Sequence, residues 1–169
     1  ASLILCLYDV IGTFSTKEEN QQIISTAYDL LNENGYFIIS VMNYETTIEH
    51  AKNKFDFSVN ANELLNLKAS DIMEKTGNIF DPQYYLVDTK THLVYRKEQF
   101  KMGQNLPVEL IVRDRRFTKD EIVSMCQEVG FSVIETKYTN ASGWKNEYDA
   151  KNKRAKEILL ICKKGGKQS

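Results

Sequence analysis

The first 42 residues constrain the fold more than any other stretch. Residues 2–8 read SLILCLY, an uninterrupted apolar run closed by Asp9 and then Gly12. Such a run suits a strand buried on both faces, as in a parallel sheet covered by helices. Ser15 with Glu18, and Thr16 with Glu19, both have the spacing of a capping box, which offers oxygens to the free amides of a helix start. Ile23, Ile24, Ala27, Leu30 and Leu31 then form one apolar helical face, and Asn34-Gly35 supplies a left-handed stop. Residues 36–42 (YFIISVM) make a second buried strand. Strand, helix and strand in this order predict a right-handed βαβ crossover with a parallel strand pair. A doubly covered strand belongs inside a sheet, so its second neighbour is expected either from later in the chain or from sequence upstream of Ala1.

The middle of the chain has a different texture. A short helix is expected over 47–54, with Ile48, Ala51 and Phe55 on one side, and residues 60–77 read as loop with a helical turn. Residues 84–88, a Thr-Lys-Thr link and residues 92–100, with Leu93, Tyr95 and Lys97 alternating, predict a hairpin. Residues 108–117 alternate well enough for a third antiparallel strand beside it. This stretch reads as an insertion carrying its own small sheet.

The last third returns to α/β texture. Thr118 and Glu121 have capping-box spacing, with Phe117 and Ile122 placed as a hydrophobic staple. Ile122, Val123, Cys126 and Val129 face inward, and Gly130 ends the helix. Strands are predicted at 131–137 and, after a polar Lys-rich link containing Trp144, at 157–162 (EILLIC). The Gly- and Lys-rich tail from Lys163 reads as frayed.

Composition narrows the function classes. At roughly 100–200 residues per domain, 169 residues predict one domain, at most one and a piece. The 22 basic against 23 acidic residues give a net charge of −1, which argues against a duplex DNA binder. Three scattered cysteines, Cys6, Cys126 and Cys162, form no C-x-x-C pair, so neither a zinc site nor a disulfide framework is indicated and no metal is expected. A cytoplasmic, reducing compartment fits them best. No apolar run approaches the ~18 residues of a membrane-spanning helix.

Open α/β sheets bind ligands at the carboxyl ends of their parallel strands. The loop after strand one, Tyr8 to Phe14, and the loop after strand two, Asn43-Tyr44-Glu45, are therefore the candidate positions. Each holds an acid and an aromatic, suited to a cationic or planar ligand; equally, Asp9 and Gly12 can shape a turn while Phe14 packs. His50 and His92 stand isolated and read as ordinary surface or packing residues. Arg113 and Arg115 share one strand face, fit either to hold a carboxylate or phosphate or to guard a solvated edge. The sequence has no G-x-S-x-G, no Walker loop and no G-x-G-x-x-G.

The segments LILCLYDVIGTF, LLNENGYFIISVMN, FTKDEIVSMCQEVGFSVIETKY and EILLICKK resemble, in order and spacing, the second half of class I S-adenosylmethionine-dependent methyltransferases. The phrase Leu31 to Tyr36 is similar to the family's approach to its fifth strand, and Gly130-Phe131 to its approach to the sixth. The resemblance covers residues 1–44 and 108–164, with 45–107 an insertion and 165–169 a tail. It implies an α/β, Rossmann-like fold: a mixed, mostly parallel sheet with an inserted antiparallel hairpin sheet, and a last strand antiparallel between the previous two.

The resemblance also implies what is missing. The family's glycine-rich cofactor loop and its ribose-binding acid have no counterpart here, so the chain reads as a C-terminal portion of such a domain, inactive alone. The cofactor in the intact protein would be S-adenosyl-L-methionine, lined by Cys6, Leu7, Tyr8 and Asp9. Asp9 or Tyr8 would be the local catalytic base. Tyr44, Tyr84, Tyr85 and Arg113 would lie on the substrate side, with a small molecule as acceptor. A non-catalytic binding module derived from the same fold is the alternative, and a flavodoxin-like enzyme ranks last because Asp9 to Phe14 holds a single glycine. The edge left open beside strand one is expected to pair with a second copy of the chain.

Overall fold

In a computed structural model, residues 1–55, 85–101, 107–139, 149–152 and 154–165 are described. The expectations for residues 60–77, Tyr84 and Trp144 lie outside them. The chain divides into two compact units, residues 1–47 with 115–169 and residues 48–114.

The first unit begins with β1 (Leu3–Cys6), α1 (Lys17–Leu30) and β2 (Tyr36–Met42). β1 and β2 pair in parallel, from Leu3 opposite Tyr36 to Cys6 opposite Ile39. Of the two overlapping capping boxes, the second is used. Thr16 Oγ1 accepts from the Glu19 amide at 3.2 Å and donates to Glu19 Oε2 at 2.7 Å. At the other end of the helix it is Asn34, with φ of 63°, that takes the left-handed turn. Gly35 is required for space, because a Cβ there would lie 2.9 Å from Asn32 O.

The helix α2 (Tyr44–His50) begins three residues earlier than the spacing of Ile48, Ala51 and Phe55 suggests. Asn43 sets its start by accepting the amides of Glu45 and Thr46 on its side-chain oxygen. The helix spans the division between the units.

The second unit holds β3 (Asn53–Phe55), β4 (Leu86–Asp88), β5 (Leu93–Lys101) and β6 (Pro107–Arg115), neighbours in that order. The β4–β5 hairpin turns on Asp88, whose carboxylate accepts from the Lys90 and Thr91 amides and from the Thr91 hydroxyl. β3 pairs parallel with β4 and falls where the sequence suggests the end of a helix.

The first unit is completed by α3 (Lys119–Val129), β7 (Phe131–Thr139) and β8 (Glu157–Lys164). The strand order is β1–β2–β8–β7, with β8 antiparallel to both neighbours. The last strand in sequence thus lies inside the sheet, as the resemblance implies. β8 takes in Lys163 and Lys164, which the sequence suggests are frayed. Lys164 Nζ donates to the carbonyls of Tyr28 and Leu31 at 2.7 and 2.9 Å, a cation at the carboxyl end of α1.

Both α1 and α3 cover one face of this sheet. Ile24, Ala27, Ile122, Met125 and Cys126 pack with Phe37, Ile39, Val41, Ile158, Leu160 and Cys162, and Phe117 and Ile122 join the same cluster. The opposite face overturns one expectation: β1 is not buried on both sides. Leu3 is 51% and Leu5 57% exposed, and Tyr36, opposite Leu3, is 43% exposed. Among the described residues β1 is an edge strand with one bare apolar face.

The loop from β1 to α1 is fastened from within. Gly12 sits at φ 121°, donates to Asn20 Oδ1 at 2.7 Å and accepts from the Arg115 amide at 2.8 Å. Asn20, fully buried, returns its amide protons to the carbonyls of Phe14 and Thr16. A Cβ on Gly12 would stand 2.5 Å from Arg115 O. Adding backbone strain and overpacking, Gly12→Ala is expected to cost roughly 2–4 kcal/mol. Urea unfolding measures this, and a loss below about 1 kcal/mol would show that the loop relaxes freely.

Candidate functional site at the carboxyl ends of β1 and β2

The parallel pair β1–β2 delivers two loops to one end of the sheet, and the antiparallel β8 brings its first residue, Glu157, to the same end. Register places Glu157 opposite Met42 on one side and Thr139 on the other.

The loop after β1 leaves the sheet abruptly. Cys6 is buried, whereas Leu7, Tyr8, Asp9 and Val10 are exposed and Tyr8 is 68% open to solvent. Tyr8 has a φ of 65°, a left-handed conformation uncommon for a bulky residue. Its amide donates to Ser40 Oγ at 2.7 Å. Ser40 is nearly inaccessible on β2. Beyond this point Ile11 plunges back into the core.

The loop after β2 is built on Asn43, which is fully buried. Its amide nitrogen holds the carbonyls of Ala150 and Ala155 at 2.8 Å each, while its oxygen caps α2. Its backbone N–H donates to Lys156 O, and the next residue, Tyr44, donates to Phe117 O. The Asn43 side chain therefore ties the segment before β8 to the start of α2. Tyr138, on β7, donates its hydroxyl to Glu45 Oε2 at 2.9 Å.

Burial raises the Cys6 thiol above its ordinary range, which keeps it protonated and unsuited to act as a nucleophile. Burial and then the Glu45 carboxylate push the Tyr138 phenol up, so it remains a neutral donor. Glu157 is also raised. Desolvation is the main cause, the nearby Ser40 hydroxyl opposes it, and the Asp9 charge adds to it.

The structure thus brings Cys6, Leu7, Tyr8 and Asp9 together at the end of β1, and puts Tyr44 close behind β2 with its ring buried. Tyr85 and Arg113 belong to the second unit, where Tyr85 is enclosed and Arg113 exposed. Arg115 forms a largely buried ion pair with Glu121. Ser40 and Glu157 escaped the sequence reading. Their only signal is a polar residue at each of two positions where apolar strand residues otherwise prevail. Among the described residues no group of His, Cys, Asp and Glu could hold a metal, and no helix is long and apolar enough to cross a membrane.

Solved structures share the fold of this chain. The methyltransferase CcbJ from Streptomyces caelestis superposes with a TM-score of 0.64 at 11% identity, over 97% of this chain and 61% of that one. An S-adenosylmethionine-dependent methyltransferase from Clostridium acetobutylicum gives 0.61 at 14% identity, over 98% and 58%. The glycopeptide N-methyltransferase MtfA, solved with S-adenosyl-L-methionine, gives 0.53 at 12%, over 98% and 55%. The fold is that of S-adenosylmethionine-dependent methyltransferases. This methyltransferase-like chain spans about three fifths of the length of the solved structures it matches. Neither a protein-family model nor a curated protein matches its sequence.

Because the Glu157 carboxyl holds its proton more tightly when folded than when unfolded, its contribution to stability is full below the ordinary value of 4.5 and is lost as pH rises through the higher folded value. Glu157→Gln, which removes that ionisation, is expected to raise the urea midpoint at neutral pH. The gain should shrink to nothing in acid. A gain that grows as the pH falls would contradict the desolvated setting of this carboxyl.

Proposed function

We propose that this chain is the carboxyl-terminal portion of an S-adenosylmethionine-dependent methyltransferase domain, acting on a small-molecule acceptor. The observation that carries the reading is β8, inserted antiparallel between β2 and β7 in a sheet that superposes on solved methyltransferases. The bare apolar face over Leu3, Leu5 and Tyr36, and the open edge of β1, support a further set of strands and helices completing the sheet.

The exposed backbone at Leu7 and Tyr8, beside the buried Cys6 and next to Asp9, fits one flank of the cofactor. The described residues include no glycine-rich turn and no ribose-holding acid beside it, so these groups come from outside this sequence in our reading. When bound, S-adenosyl-L-methionine supplies an electrophilic methyl group. The residues of this chain would orient the acceptor for in-line transfer, with Asp9 or Tyr8 taking the acceptor's proton. Tyr44 and Arg113 are substrate-side proposals, as are Tyr84 and Tyr85.

Calorimetry on the 169-residue chain with S-adenosyl-L-methionine is expected to show no tight binding, and the same chain joined to the sequence encoded immediately upstream is expected to bind. Tight binding by the chain alone would contradict the need for a second portion. Light scattering on the isolated chain should show dimers or larger species paired through the β1 edge. A clean monomer at high concentration counts against that pairing.

A further inference from the structure

The residues that follow β2 are held by buried polar contacts lying wholly within the first unit. Asn43, Thr46, Thr47 and Arg116 are each almost fully buried, and a buried polar group is costly unless it is hydrogen-bonded. Thr46 Oγ1 donates to Asn152 O at 2.6 Å. Thr47 Oγ1 donates to Asn43 O at 2.7 Å and accepts from Arg116 Nη1 at 2.8 Å. With the Asn43 side chain also capping α2, the backbone around Glu45 is fixed from several sides.

From that base the Glu45 side chain reaches β7, where its Oε2 accepts from the Tyr138 hydroxyl at 2.9 Å. Tyr138 stands opposite Ile158, and Ile158 opposite Val41, so the contact spans β8. A phenol has one proton to give and a carboxylate only accepts, so Tyr138 aims Glu45 without neutralising its charge. Glu45 is half-buried, and its Oε1 takes no hydrogen bond from the described residues. The Asp9 carboxyl and the Tyr8 hydroxyl, at the end of β1, make none with the described residues either. Of these three groups only Glu45 is oriented by a side-chain donor. An acid held by a fixed donor and open on one oxygen meets the geometric condition for an oriented binding group.

We propose that Glu45 anchors a cationic group of the methyl acceptor, an ammonium on a small molecule, and that Tyr138 is the positioning residue that aims its carboxylate. The use of this anchor in methyl transfer rests on reading the strand ends as the methyl-transfer site. Oε1 receives the ammonium while Oε2 stays with Tyr138, a charge-assisted hydrogen bond on one oxygen and a neutral one on the other. Tyr138 does not touch the acceptor; it acts through Glu45.

Titration of the isotope-labelled 169-residue chain with benzylammonium, followed by NMR at the Glu45 carboxyl and the Tyr138 ring, tests this. Saturable shifts are expected at both side chains. Benzyl alcohol, which keeps the ring and drops the charge, is expected to cause none. Glu45→Gln should weaken benzylammonium binding about tenfold or more, and Tyr138→Phe about fivefold, with benzyl alcohol still rejected. The absence of saturable shifts overturns the anchor, as does equal binding of benzyl alcohol or undiminished binding in Glu45→Gln. Full affinity in Tyr138→Phe overturns the positioning role. The titration of the unsubstituted chain with the two probes stands even where a variant fails to fold. No cofactor enters these readouts, so the anchor can fail while the methyl-transfer reading survives, and the reverse.

Discussion

The antiparallel ladder between β2 and β8, from Tyr36 opposite Lys163 to Met42 opposite Glu157, is the contact on which the rest of the first unit depends. It draws the end of the chain into the sheet beside residues folded near its beginning. Through it Leu160 and Cys162 reach the cluster under α1 and α3, and Lys164 reaches the carboxyl end of α1. It also brings Glu157 to the carboxyl ends of the parallel strands. One ladder therefore builds the core and one wall of the candidate site.

The same arrangement leaves the sheet unequal on its two sides. Helices cover the face bearing Phe37, Ile39 and Val41, whereas the face bearing Leu3, Leu5 and Tyr36 stays open. Apolar side chains left in water forgo about 25 cal/mol for each Å² that a cover would bury. The open face and the open edge lie together at β1, which is the physical basis for proposing that the functional unit is larger than the described sheet.

Much of this was legible because the signals were local. The capping boxes at Thr16 and Thr118, the αL glycine at Gly130 and the apolar faces of α1 and α3 each lie within a few residues of sequence. The run from Ser2 to Tyr8 was read correctly in its chemistry and incorrectly in its cover: alternating out-facing leucines and in-facing Ile4 and Cys6 are both apolar, so the sequence indicated two buried faces where the structure has one. The apolar spacing of Ile48, Ala51 and Phe55 places α2 too late in the chain, because the capping oxygen of Asn43 sets its start. The hydrogen bond from the Tyr8 N–H to Ser40 could not be read at all. Its two residues are far apart in sequence, each is unremarkable alone, and only the pairing of β1 with β2 brings them together.

The central claim, that the bare side of β1 is a joint between two portions of one methyltransferase domain, meets its most direct test in hydrogen exchange followed by mass spectrometry over residues 2–8. The measurement compares the chain alone with the chain joined to the sequence encoded immediately upstream. Strong protection of β1 in the longer polypeptide, with fast exchange in the shorter one at matched oligomeric state, is the predicted result. Equal and fast exchange in both would contradict the account, because it would leave β1 an edge strand in the longer protein as well.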